Sequence, residues 1–153
     1  MPSRARSLSP APQEVSLPYQ LEDSWQRSSR YGLTRDDDVQ PWVASSLLND
    51  ARAENGWVNH LVAPLLARLR PQLSSHPSIL VLSDATGLVL ETYGNSDFLH
   101  TAQRFALSPG HLWGEHARGT HASGTAMASQ RHREAPRGAP LLRRHPRLSC
   151  PAA

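Results

Sequence analysis

The chain has no lysine: all sixteen of its basic residues are arginine. Without a lysine there is no Gly-x-x-x-x-Gly-Lys-(Ser/Thr) phosphate loop, so the 153 residues hold no ATPase of that type. A terminal recognition-helix pattern is missing too, which leaves no sequence-specific reader of DNA. The single cysteine, Cys150, has no partner for an internal disulfide. No apolar run approaches the ~20 residues that span a bilayer, and the N-terminus lacks the apolar stretch of a secretory signal, so a cytoplasmic protein without membrane association is expected. Lysine's absence beside abundant Ala, Arg and Pro points to GC-rich coding and says nothing of function.

The charge that is present is unevenly placed. Residues 1–127 hold ten Arg against twelve acids, a net of −2, and residues 128–153 hold six Arg against Glu134 alone, a net of +5, which together give the chain's +3. The larger part is near neutral and offers no broad electrostatic footprint for nucleic acid. The Arg-rich tail lacks interleaved aromatics on which bases could stack, so it reads as a solvated tail. Residues 1–16 are rich in Ser, Pro and Arg, a composition that buries too little surface to offset ordering entropy, and are expected to form a disordered arm. The length leaves room for one domain.

From Pro18 the pattern turns helical, with Leu21 and Trp25 one turn apart on the same face and Gly32 as the stop. Asp36-Asp37-Asp38 has the look of a metal-binding acidic cluster. It directly precedes Pro41 and the apolar positions Trp42, Val43, Leu47, Leu48 and Ala51, however, where acids complement the positive end of a helix, and Asn55-Gly56 would close that helix. A second helix follows, with Val58, Leu61, Val62, Leu65, Leu66 and Leu69 at amphipathic spacing and Pro64 expected to kink it or start its last part. Ile79 to Leu82 is apolar at every position, as a strand covered on both faces needs, and Asp84-Ala85-Thr86-Gly87 turns the chain into Leu88-Val89-Leu90. Asn95 to Leu107 carries apolar residues at helical spacing, and Thr120 would cap a further short helix bearing Ala122, Ala126 and Met127. This order predicts an α+β fold, an antiparallel sheet with flanking helices. Residues 129–140 show neither period.

The most informative stretch is Trp113-Gly-Glu-His-Ala-Arg-Gly-Thr-His-Ala-Ser-Gly-Thr-Ala-Met127. It resembles the signature of the N-terminal GAF sensory domain of AcoR/DhaR-type bacterial regulators, which are sigma-54-dependent activators of acetoin or dihydroxyacetone catabolism. Trp113, Glu115, Gly119, Thr120, Ala122, Gly124, Thr125 and Ala126 match, whereas His121 stands where that family has Asn and Ser123 where it has Ile. Upstream, Leu21, Ser24-Trp25, Arg27 and Gly32-Leu33 follow the same regulators' opening Ser-Trp-x-Arg pattern, and Pro64-Leu65, Leu69 and Val81 to Gly87 fit their spacing. The likeness covers roughly residues 17–128.

The resemblance implies a domain that receives a small metabolite or a signalling protein and relays the signal to an ATPase. It places a pocket between the sheet and the loop Ala106–Thr125, lined by Trp113, Glu115, Thr120 and His121. Arg118, Gly119, Gly124 and Thr125 complete the motif, which is equally readable as a structural turn. The same likeness marks residues 17–128 as a partial GAF-like domain, incomplete at its C-terminus, and residues 129–153 as an irregular Arg/Pro-rich tail. The expected product is a truncated regulator whose all-apolar strand has an unpaired edge, a cause of self-association. A frame disturbance in the gene would explain the lost pattern, and a nonfunctional gene fragment is an alternative.

A second alternative is a small metal-dependent enzyme using His111, Glu115, His116 and His121, since imidazole with carboxylate suits zinc. Histidines five apart fall about 140° apart on a helix, and no His-Glu-x-x-His is present. An anion site is conceivable where Thr120 opens a helix beside Arg118, against the plainer reading of a tight helix start packed on the sheet with Trp113 over it. No serine, nor Cys150, has a base held near it in sequence, so neither enzyme activity nor a cofactor is expected.

Overall fold

The computed structural model describes residues 19–34, 37, 40–130, 133–135 and 150–152, and the arm read over residues 1–16 lies outside them. The first helix, α1 (Tyr19–Arg30), stops ahead of Gly32 as expected. Its inward face is not the one the apolar residues mark. Ser24 and Ser28 are fully buried, whereas Leu21 and Trp25 are only half-buried.

Two helices follow, α2 (Ser45–Glu54) and α3 (Gly56–Ser75), joined through Asn55. Among the described residues no acid caps α2. Its first turn holds no acid, and the Asp37 carboxylate accepts the Thr34 N–H at 2.5 Å, closing a local turn; Asp36 and Asp38 lie outside the described residues. Trp42 and Val43, expected in this helix, are extended instead: Trp42 forms a β-bridge with His111, and the Val43 N–H donates to the Gly110 carbonyl at 2.9 Å. The third helix runs unbroken through Pro64 and Pro71. Val58, Val62, Leu66 and Leu69 lie on its half-buried side, but Leu61 and Leu65, expected on the same apolar face, are exposed beside Trp57.

The hairpin pairs β1 (Ile79–Ser83) antiparallel with β2 (Val89–Gly94), Leu80 facing Tyr93, with a bulge between Leu82 and Ser83. Asp84 shapes the turn, its carboxylate accepting from the backbone N–H of Thr86 at 2.8 Å and of Leu88 at 3.0 Å. Burial does not follow the apolar run. The first strand is half-buried throughout, and the core lies instead at Leu88, Val89 and Leu90. The reason is that β2's other edge carries the next layer: Val89 N donates to His111 O at 2.9 Å and Trp113 N to Gly87 O at 2.7 Å, while Leu112 N donates to Pro41 O at 2.9 Å. Among the described residues no strand pairs with the outer edge of β1.

The Asn95 side chain caps α4 (Ser96–Arg104), accepting from Asp97 N at 3.0 Å. A four-residue helix, α5 (Glu115–Arg118), and α6 (Ala122–Ser129) complete the helical layer. Two short strands, β3 (Arg133–Ala135) and β4 (Cys150–Ala152), pair antiparallel beside α6, so the stretch 129–140, which shows no period in sequence, carries a strand that pairs with one farther along the tail. Helices and antiparallel strands together make an α+β fold.

Candidate functional site

The signature from Trp113 to Met127 folds as a loop, α5, a glycine turn and α6. Gly119 ends α5 at φ 70° and ψ −160°, a conformation only glycine adopts without strain. Gly124 has another reason: a Cβ there would sit 2.9 Å from the Glu115 N and 2.7 Å from the His121 ring. The two helices therefore approach backbone to backbone at Gly124, while Gly119 makes the turn between them.

Against this pair lies α1. Ser24 Oγ donates to the Glu115 carboxylate and sits 2.9 Å from Thr120 Oγ1 and 3.1 Å from Thr125 Oγ1. Ser28 Oγ lies 3.3 Å from Thr120 Oγ1 and donates to the Ser24 carbonyl at 2.9 Å. Arg27 closes the rim as a fork, Nε to Glu115 Oε2 at 2.7 Å and Nη2 to Oε1 at 3.1 Å. The Glu115 side chain is 4 % exposed and that of Arg27 35 %, so a buried carboxylate meets a cation that still reaches water. The hydrogen bond to Glu115, more than its charge, holds the Arg27 guanidinium above its ordinary value.

Beneath this layer Trp113 is buried. Its indole N–H donates to the Ala106 carbonyl at 2.7 Å, and Ala106 presents that carbonyl from a left-handed conformation, φ 55°. The Arg118 guanidinium stacks 4.3 Å from the indole centroid and donates to Phe105 O at 3.2 Å. His121 meets the indole edge-on, with Nδ1 2.7 Å from Gly119 O and Nε2 2.7 Å from Trp113 O. Burial pushes His121 below the ordinary imidazole value, against the pull of the two carbonyls; Arg118 adds to the fall and Glu115 opposes it.

All eight signature residues, Trp113, Glu115, Arg118, Gly119, Thr120, His121, Gly124 and Thr125, thus share one buried locus. One role differs from the preferred sequence reading. Thr120 caps nothing: α6 begins after His121 without a side-chain cap, and the Thr120 hydroxyl faces Ser24 and Ser28. The anion site, the lesser of the two readings of this helix start, has its cation elsewhere, on Trp113. The metal cluster is dispersed. Glu115 is held by Arg27, His121 by two carbonyls and His111 by Ser108, while exposed His116 stands edge-on to Tyr31; among the described residues no three His, Cys, Asp or Glu side chains converge as a metal ion would require.

Sequence reasoning missed Ser24, Arg27 and Ser28 as members of the site, although Ser24 and Ser28 are one turn apart and Arg27 shares their side of α1. The Ser24 hydroxyl does rest on a carboxylate, but it is fully buried and Glu115 is committed to Arg27, so the pair lacks both substrate access and a free base. Two surface hollows lie elsewhere. One of about 460 Å³ includes Glu22, Trp25, Gln26, Ser29 and Arg30 on the far side of α1, and one of about 320 Å³ lies between the end of α3 and α4, at His76, Asn95 and Phe98. No helix of the described residues is long and apolar enough to cross a membrane.

No family model matches the sequence, and no curated protein matches it. Among solved structures, a chain from the crystal structure of the E. coli DhaR(N)-DhaL complex is similar, with a TM-score of 0.73 at 16 % identity over 80 % of this chain and 42 % of that one. The present chain therefore spans less than half the length of that neighbour, and at this identity the two share a fold.

Proposed function

We propose that residues 17–128 form a GAF-like signal-sensing domain of a bacterial transcriptional regulator, of the AcoR/DhaR type that works with sigma-54 polymerase. One observation carries the reading. The two sequence blocks that resemble these regulators, Ser24 to Arg27 and Trp113 to Ala126, lie about ninety positions apart and are bonded to each other through Ser24, Arg27, Glu115, Thr120 and Thr125. A shared motif whose halves form one buried network is what a common fold and role require, and the likeness to the DhaR(N)-DhaL chain supports it.

In this reading the signature holds α1 in place and does not touch ligand, because its polar side chains are buried and engaged with α1 or with nearby carbonyls. The domain is not an enzyme, and it takes its signal from a small metabolite or a signalling protein. A protein of the DhaL kind is the first candidate, since the structural neighbour comes from a complex with DhaL.

Calorimetric titration of the folded chain with DhaL, dihydroxyacetone and acetoin tests the proposal, and binding of at least one is expected. A folded chain that binds none of the three, or that shifts a promoter fragment specifically at physiological salt, would overturn it.

A further inference from the structure

Asn95 ties the end of α3 to the start of α4. Its Nδ2 donates to the Ser74 carbonyl at 3.0 Å, while its Oδ1 accepts from Asp97 N at 3.0 Å and from Phe98 N at 3.4 Å. The two helix ends are thereby fixed around the hollow of about 320 Å³ that Ser75, His76, Asp97, Phe98 and Thr101 help to line, none of them part of the signature under α1. What this lining offers is acceptors. His76 Nδ1 lies 3.2 Å from Gln72 O and 2.9 Å from Ser75 Oγ; a carbonyl can only accept, so Nδ1 carries the proton and the neutral ring keeps Nε2 as an acceptor. The Thr101 hydroxyl donates to Asp97 O at 3.2 Å, which leaves its lone pairs for a ligand. The exposed Asp97 carboxylate forms no ion pair with a described residue, and in a chain of sixteen arginines the described lining holds none.

The backbone adds charge of the same sign. The 20-residue α3 has no basic residue in its last turn, so its negative end is uncompensated at this mouth, whereas the positive end of α4 is already met by Asp97 and the Asn95 side chain. An anion does not suit the site: Asn95 takes the N–H groups of Asp97 and Phe98 that would hold it, and the Asp97 carboxylate repels it. A metal ion does not suit it either, since among the described residues no three His, Cys, Asp or Glu side chains converge. We infer that the hollow binds a guanidinium group. Asp97 is its counter-ion, the Phe98 ring is the surface on which the flat cation stacks, and His76 Nε2 and Thr101 Oγ1 accept from its remaining N–H groups. An ammonium fits less well, because it is compact, strongly hydrated and without a flat face. The volume is at the low end of ligand sites and takes a group the size of an arginine side chain, whether of a free guanidino metabolite or on the surface of a partner protein.

Backbone amide shifts of the full chain, followed by NMR at neutral pH as L-arginine is added, test this. Binding is expected at about millimolar affinity, the range open to so small a ligand, with shifts confined to residues 72–78 and 95–101. L-Citrulline has the same shape with a neutral urea in place of the guanidinium and should bind about 5-fold more weakly. Asp97→Asn should weaken L-arginine about 2- to 5-fold, and Asp97→Lys should abolish its binding. Phe98→Leu keeps an apolar wall without the ring and should cost about 2- to 5-fold. An unchanged helical circular dichroism spectrum confirms that each variant is folded. A blocked tripeptide, acetyl-Gly-Arg-Gly-amide, separates the two sources: tighter binding than L-arginine assigns the site to an arginine of a partner protein, and weaker binding assigns it to a free guanidino metabolite. Absence of shifts well above the millimolar range would overturn the inference. So would shifts confined to other residues, citrulline bound as tightly as arginine, or an Asp97→Lys variant that binds as the wild type does.

Discussion

The seat of α1 and the outer side of α3 invert the usual rule about which residues go inside. Under α1 the chain buries Ser24, Ser28, Glu115, Arg118, Thr120, His121 and Thr125, while Trp57, Leu61 and Leu65 on α3 face outward. The difference follows from geometry. Gly124 lets α6 approach the backbone of α5, and the hydroxyls of Ser24, Thr120 and Thr125 packed there satisfy one another. On α3 no described residue covers that stripe, so size is unrestricted there and apolar side chains stay exposed. Stability should therefore be sensitive to polar substitutions in the seat and indifferent to apolar ones on the stripe, opposite to what a hydropathy profile suggests.

The largest effect should come from Trp113, which joins the layers through Ala106, Arg118 and His121. Trp113→Ala should cost about 3 to 5 kcal/mol in urea denaturation. A loss below about 1 kcal/mol accompanied by loss of ligand binding would move the residue from the core into a pocket. Next comes Arg27→Ala, which strands the Glu115 carboxylate. A fully enclosed pair would cost about 3 to 5 kcal/mol, but Arg27 keeps a third of its side chain in water, so about 2 to 3 kcal/mol is expected. Adding Glu115→Gln should recover part of that loss, since the stranded charge is then gone, and strict additivity of the two substitutions would show that they do not communicate.

Much of the scaffold was legible because its signals are local. The ends of α1, the hairpin turn at Asp84 and the Asn95 start of α4 are each set by residues within a few positions of one another. The site was half legible. The glycines and Trp113 announced a tight, buried turn, but Ser24 and Thr120 are partners 96 positions apart, and no period or spacing records such a contact. At four residues α5 is too short to show a helical period. Local propensity also misled at Trp42 and Val43, where pairing with Gly110 and His111 outcompeted the helix, and at Leu61 and Leu65, whose spacing is that of a core face but whose surroundings are solvent.

A smaller effect follows from His121. Its value in the folded chain is depressed by burial below the ordinary 6.5, so as the pH falls the unfolded chain takes up the proton first. The folded state then holds fewer protons than the unfolded one, and stability rises with pH in that window. Its contribution is complete above pH 6.5 and is lost as the pH falls toward the depressed value, with a slope of at most about 1.4 kcal/mol per pH unit. His121→Asn, which installs the residue the resembling regulators carry, should flatten the curve below pH 6.5. An unaltered slope in that variant would place the acid sensitivity elsewhere.

The smallest effect is expected at Leu61, the counterweight to Trp113. Leu61→Ala removes a large apolar side chain, yet with 68 % of the residue already in water there is little burial to lose. Alanine is also the best helix former, which offsets part of what remains. In urea denaturation the change should lie within about 0.5 kcal/mol of zero. A loss as large as that of Trp113→Ala would mean that the side chain is covered, and the contrast between the two regions would fail.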